Sequence, residues 1–374
     1  VAHALLFGGR DAMSKKKSVH IIQSLFTGGA ETLLCDLAEY CSTDFEVYVV
    51  TLYGENDELM VEKLKSAGVS LIFLDKKVGF HIKSLKNLFI ILRKIKPDII
   101  HTHLEAAVYA LPYYLFYRKN VRIHTIHSRP EYEFTKYHIM AMKLAYRFLN
   151  VIPVAISGSI RDEAAKLYSL DKNGIPVIYN GVHTEKFKVL REKKEDFTEV
   201  RLINVASFSK IKNQALLLDA LKLLRERTNA RLTFVGDGET RDNTEKLARE
   251  YGFSEDTVSF LGLRRDIPDL LAKSDIFVLC SHYEGVPLSI LEAYASGLPV
   301  VSTNVGGVPD ILTNRENGLL VPPGSAEALA DAVSEIMNPA LYNKISEENL
   351  KKALEFDISR IAEQYITLYE RDLR

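Results

Sequence analysis

From Ser18 onward the chain alternates short β-branched runs with longer segments of helical period, and this rhythm is its strongest constraint. The runs are VHIIQ (19–23), VYVVTL (47–52), VSLIFL (69–74), DIIHTH (98–103), VRIHTIH (121–127) and PVAIS (153–157). Most are apolar at successive positions rather than alternate ones, as strands covered on both faces should be. Helix-length segments separate them, among them Glu31–Tyr40, Asp57–Ala67 and Ile82–Ile95. Such alternation predicts an α/β chain with a doubly wound parallel sheet.

The rhythm restarts after a stretch rich in Lys and Glu, residues 186–199. New runs follow: VRLINVAS (200–207), RLTFVG (231–236), TVSFLG (257–262), DIFVLC (275–280) and PVVST (299–303). At 374 residues the chain exceeds what one core usually holds. We therefore expect a Rossmann-like domain over 13–185, a linker over 186–199 and a second Rossmann-like domain over 200–357. A terminal helix over 358–374 is expected to pack back on the first domain. Residues 1–12 match neither a signal peptide nor a strand; they read as an expression remnant, with Met13 as the native start. Two such domains facing each other place a ligand cleft at the carboxyl ends of both sheets.

Composition narrows the function classes. Lys and Arg number 48 against 49 Asp and Glu, so whole-chain charge gives no argument for nucleic acid. No run approaches the ~18 apolar residues that a membrane span needs. Three cysteines, Cys35, Cys41 and Cys280, form no metal or redox spacing, and an odd count fits a reducing cytoplasm.

Two segments carry site chemistry. Thr27-Gly28-Gly29-Ala30 lies between the first strand and the helix that follows. Glycines there allow close backbone approach, and a helix start offers N–H groups to an anion; a plain tight turn is the competing reading. The second segment runs from Ser281 to Glu292 through Gly285-Val286-Pro287-Leu288-Ser289. It puts Glu284 at a strand end and Glu292 on a helix, with turn N–H groups able to hold a diphosphate. Alternatively, Glu284 caps the helix and Glu292 is solvated.

Glu284 and Glu292 with the intervening GVPLSIL, followed by Ala293-Tyr294-Ala295-Ser296-Gly297-Leu298-Pro299-Val300, resemble the E-x7-E block of retaining glycosyltransferases of family four. Phe234-Val235-Gly236-Asp237-Gly238, Phe260-Leu261-Gly262, Val305-Gly306-Gly307-Val308-Pro309-Asp310 and Asn317-Gly318-Leu319-Leu320-Val321 fall in the family's order. So do Gly28-Gly29-Ala30 and Asn180-Gly181-Val182. The resemblance implies the GT-B fold, a nucleotide-sugar donor held mainly by the second domain and an acceptor held mainly by the first.

Carried over by position, the resemblance puts Glu292 on the donor ribose and Glu284 beside the transferred sugar. The backbone of Gly285, Val286, Pro287, Leu288 and Ser289 would contact sugar and diphosphate, with Gly28 and Gly29 also on the donor. Lys212 matches the lysine that neutralises the diphosphate. Arg264 stands where the base is held, with Arg265 as the alternative. His127 matches the histidine near the reacting centre, and His103 borders the acceptor. Ala206-Ser207 replaces the usual Gly-Arg, so Ser207 occupies a donor position one charge short. His183 replaces a customary aspartate.

His101, His103, His124 and His127 invite a metal reading by spacing alone, but no full ligand set accompanies them. No D-x-D-like segment suits a metal-bound diphosphate either. We therefore expect no metal and no cofactor, the nucleotide-sugar (expected to be UDP-linked) being a substrate. The expected reaction is front-face retaining transfer to a lipid-linked or cell-surface glycan, resting on positioning and charge stabilisation.

Between residues 76 and 150 there are 14 Lys and Arg against four acids, with aromatics interleaved. That surface suits anionic lipid headgroups and a peripheral position on the inner membrane face; a solvated face over an ordinary core is the bland alternative. Two other functions compete: a nucleotide-sugar isomerase on the same fold, and a non-catalytic partner subunit, the latter motivated by Ser207.

Overall fold

The computed structural model describes residues 15–371 except 27, 55, 56, 78, 80 and 190. The stretch 1–12, Met13, Thr27, Phe80 and residues 372–374 of the expected terminal helix lie outside the described residues. The described residues fall into two compact units, one within 15–124, 144–151 and 369–371, the other within 125–143 and 152–368.

The first sheet has six strands: β1 (Lys17–Ile22), β2 (Glu46–Thr51), β3 (Ser70–Phe73), β4 (Ile99–His103), β5 (Val121–Ile126) and β6 (Val151–Ala155). Their order is β3-β2-β1-β4-β5-β6. The second comprises β7 (Val200–Val205), β8 (Ala230–Val235), β9 (Val258–Phe260), β10 (Ile276–Leu279), β11 (Val300–Thr303) and β12 (Leu319–Val321), ordered β12-β11-β10-β7-β8-β9. All recorded pairings are parallel, as the alternating pattern predicts.

Every expected strand forms: β1, β2, β6 and β8 begin earlier than expected, and most strands end one or two residues sooner. The sequence reading assigned no strand to 319–321, yet β12 pairs with β11 through Val301↔Leu319. Three residues are too few for a periodicity signal; the neighbouring β11 supplies the ladder that makes them a strand.

The consecutive apolar runs are explained by burial on both sides. All four residues of β10 are buried. Leu217, Leu221, Leu329 and Val333 belong to the core cluster that holds Val278, whereas Ile290, Leu291, Tyr294 and Ile311 belong to the one that holds Phe277. Adjacent β10 residues therefore serve opposite layers, as a pleat requires.

The order in which strands are added reverses between β7 and β10, which pair in parallel as Ile276↔Leu202 and Phe277↔Ile203. A ligand crevice of an open α/β sheet forms outside the carboxyl ends of such strands. Here those ends lead into residues 206–214 and 281–287. In the first sheet the reversal lies between β1 and β4, paired through His20↔His101. Among the described residues no helix is long and apolar enough to cross a membrane.

Candidate active site

The loop after β7 turns tightly, with Lys212 N donating to Ser209 O at 3.0 Å and Asn213 at a φ of 53°. It is fastened to the end of β10: His282 N donates to Ile211 O at 2.7 Å, and Cys280 Sγ to Lys212 O at 3.2 Å. These bonds aim Lys212 at Glu284. The ammonium lies 2.7 Å and 2.8 Å from the two carboxylate oxygens, and Ser281 Oγ donates to Oε1 at 2.5 Å. Glu284 is only 6% exposed. The capping alternative for Glu284 is not what forms: Pro287 precedes the helix Leu288–Ala295, and no side chain caps it.

Glycines bring three backbone segments together here. A Cβ on Gly306, whose φ is 52°, would overlap Glu284 O, and one on Gly307 would overlap Gly285 O. A Cβ on Gly285 would come within 2.8 Å of His127 O. Glu284 O accepts from Gly307 N at 3.0 Å, and Val286 O accepts from Asn180 Nδ2 at 2.6 Å. The scattered motifs at 127, 180, 284–287 and 305–310 thus converge within the second unit. Gly236 and Gly238 likewise leave room only for the backbone of Ala206 and Phe208.

The other expected residues are placed as follows. Glu292 lies on the helix Leu288–Ala295, half-buried, and His127 follows β5, also half-buried. Ser207 is exposed, its carbonyl accepting from Gln214 Nε2 at 2.8 Å. Arg264 is exposed and forms a two-pronged pair with Asp266, at 2.8 Å and 2.6 Å. In the first unit, Gly28 caps the helix Gly29–Cys41, and a Cβ there would strike the Glu31 carboxylate, whose pKa burial raises. His103 ends β4, fully buried and 4.2 Å between ring centroids from His101.

His20, His101 and His103 bring one ring nitrogen each within 4.8 Å of the others. Burial pushes the His20 imidazole down to about 4, the neutral form that a metal would need. Tyr369, however, packs edge-on against His20 and His101 and hydrogen-bonds His101 Nδ1 at 2.8 Å. The cluster reads as packed rings on one sheet face.

Sequence reasoning gave Ser281 and Asp310 no role. Asp310 accepts from Gly158 N at 2.6 Å, where the helix Gly158–Tyr168 begins. It also missed a clamp on Tyr283. Arg129 stacks 4.4 Å from that ring and pairs with Glu163 at 3.0 Å, and the phenol donates to Glu163 at 3.3 Å. Burial raises the phenol pKa, so it stays a donor. Partners 34 or more positions apart leave no spacing signal; only Ser281, three residues from Glu284, had one.

Two family profiles cover consecutive parts of the chain. "Glycosyltransferase Family 4" matches residues 27–186 and "Glycosyl transferases group 1" matches 185–353. The chain belongs to glycosyltransferase family 4. This glycosyltransferase is 27% identical over 324 residues to the Escherichia coli UDP-Gal:alpha-D-GlcNAc-diphosphoundecaprenol alpha-1,3-galactosyltransferase, covering 77% of this chain and 79% of that one. It is 28% identical over 301 residues to the Staphylococcus aureus capsular polysaccharide biosynthesis glycosyltransferase CapH, covering 77% and 81%. The fold matches that of Anabaena Alr3699/HepE, solved with UDP-glucose, at a TM-score of 0.81 and 23% identity, covering 95% and 99%. As a member of the family, the enzyme transfers sugar from a nucleotide-sugar donor.

Proposed function

We propose that the chain is a retaining, metal-independent glycosyltransferase that moves a sugar from a UDP-linked donor to a lipid-linked or cell-surface glycan. The Lys212–Glu284 pair at the head of the E-x7-E block carries this reading. It sets a cation and a carboxylate together at the carboxyl ends of β7 and β10. Lys212 would meet the leaving diphosphate, assisted by the uncapped helix start at Leu288, where N–H groups favour negative charge. Glu284 and His127 would flank the sugar as positive charge develops on it, and Glu292 would hold the ribose. The departing phosphate can take the acceptor proton, leaving the protein to position and stabilise charge. The names of the E. coli and S. aureus relatives support a UDP-sugar donor and a surface-polysaccharide acceptor.

A peripheral membrane position fits the helix Lys136–Phe148. Tyr137, Met140, Leu144 and Phe148 are 88%, 59%, 50% and 62% exposed, and Lys136, Lys143 and Arg147 share the helix. Apolar side chains flanked by cations suit an anionic bilayer surface.

The test is a nucleotide-sugar panel read by thermal shift and donor hydrolysis, with EDTA and with magnesium. Stabilisation by UDP and slow hydrolysis of one UDP-sugar are expected, both insensitive to EDTA. No stabilisation by any nucleotide would overturn the reading, as would loss of activity in EDTA. Free-sugar release outpacing transfer would favour the isomerase. UDP binding with turnover only beside a second protein would favour the partner subunit.

A further inference from the structure

Lys76 is 9% exposed, an unusual depth for an ammonium group. Its Nζ donates to Tyr53 OH at 2.9 Å and to Lys77 O at 3.3 Å. An ammonium has three donors, so these two contacts leave one unassigned. Among the described residues no carboxylate pairs with it. A positive charge so withdrawn from water normally has a counter-charge.

The surroundings resemble a ligand site rather than a core. Nζ lies 4.6 Å from the Tyr53 ring centroid and 5.7 Å from that of Tyr109. Tyr109 is itself buried, and its hydroxyl accepts from His81 N at 3.1 Å. Tyr53 follows β2, Lys76 follows β3, and Tyr53 N donates to Gln23 O, just beyond β1. Gln23 Nε2 reaches Glu105, just beyond β4, at 2.8 Å. The group therefore gathers at the carboxyl edge of the first sheet and includes both strands of its reversal, where such sheets receive ligands.

We infer that Lys76, Tyr53 and Tyr109 form an acceptor subsite that selects a sugar carrying an oxyanion, a phosphate ester or a carboxylate. The ammonium supplies the missing charge pair, and a tyrosine presents a ring face to apolar C–H groups and a hydroxyl to polar ones. This rests on the proposed transferase function and adds to it the charge of the acceptor. A neutral glycan would leave the ammonium uncompensated.

Calorimetric titrations test it, run with and without saturating UDP so that the diphosphate pocket is filled in one arm. The probes are glucose, glucose 1-phosphate, glucuronate and inorganic phosphate. In the presence of UDP, at least one anionic sugar should bind at least tenfold tighter than glucose and tighter than phosphate. Rising NaCl should erode that preference. Glucose 1-phosphate above glucuronate would assign a phosphate, the reverse order a carboxylate. Lys76→Met should abolish the preference, Lys76→Arg should keep part of it, and Tyr109→Leu should weaken every sugar. All three should bind UDP as the wild type does, which also controls for folding. Equal affinity for charged and neutral sugars, no binding of either anionic sugar at millimolar concentration, or phosphate binding as tightly as glucose 1-phosphate would each overturn the subsite. So would a preference that survives Lys76→Met. Failure of the wild type to bind UDP, with anionic-sugar selectivity intact, would instead overturn the proposed function.

Discussion

Lys212 Nζ sits 2.7 Å from one carboxylate oxygen of Glu284 and 2.8 Å from the other. The two assigned roles are therefore coupled before any substrate arrives. A diphosphate that recruits Lys212 loosens its hold on Glu284, whose remaining side-chain partner among the described residues is the Ser281 hydroxyl.

The coupling makes stability and turnover separable. Lys212→Ala is expected to cost roughly 2–4 kcal/mol of transition-state stabilisation, about 30- to 1000-fold in rate. It also strands a buried carboxylate, at about 3–5 kcal/mol of folding stability. Adding Glu284→Gln should recover much of the stability and none of the turnover. Thermal melts beside steady-state rates check this; wild-type rates in Lys212→Ala would point to Lys210 as the working cation. Ser207 is exposed, leaving room for a longer side chain, and Ser207→Arg should tighten UDP binding.

The two carboxylates of the E-x7-E block should differ in kinetic signature. Ribose hydroxyls do not change during reaction, so Glu292→Ala should mainly weaken donor binding. The sugar gains charge in the transition state, so Glu284→Ala should mainly lower kcat. Identical effects of both substitutions on donor affinity alone would refute the division.

Gly306 has a φ of 52° and no space for a Cβ against Glu284 O. Gly306→Ala should destabilise by roughly 2 kcal/mol or more through backbone strain and displaced packing. Because the displaced atom belongs to Glu284, UDP-sugar affinity should fall with it. A melt and a donor titration on the same sample test the pair.

Acid should weaken the first unit. Burial lowers His20 and His124 from 6.5 to about 4, so each is neutral in the folded chain where the unfolded chain is protonated. Between pH 6.5 and about 4 the unfolded state binds more protons, and stability falls as pH falls. The loss approaches roughly 3 kcal/mol per histidine. His20→Gln and His124→Gln should flatten the slope of unfolding free energy against pH in that window; an unchanged slope would remove the assignment.

Vesicle sedimentation addresses the membrane surface. Binding should be stronger to anionic than to zwitterionic lipid and should weaken with salt, since exposed charges are screened within about 8 Å at physiological ionic strength. Replacing Tyr137, Met140 and Phe148 by Ser should reduce it, whereas equal binding to both vesicle types would exclude an electrostatic surface.

The sequence alone determined the α/β class, the parallel sheets and the order of motifs, because these depend on local periodicity and turn chemistry. Runs such as IFVL in β10 are apolar throughout since both faces of that strand are covered, and a one-dimensional pattern records that. It also singled out Lys212, Glu284 and Glu292, although only through resemblance to a family; by spacing alone Glu284 read rather as a cap. Tertiary structure decided the partners. Lys212 and Glu284 are 72 positions apart, and they meet because β7 and β10, far apart in the chain, are neighbours in the sheet. The same holds for β12, which needs β11 beside it, and for Arg129, Glu163 and Tyr283. The burial of Lys76 without a carboxylate among the described residues is likewise invisible in a linear string of charges. Periodicity reports how one element meets its layer, whereas strand order and side-chain pairing depend on contacts between elements that no local pattern encodes.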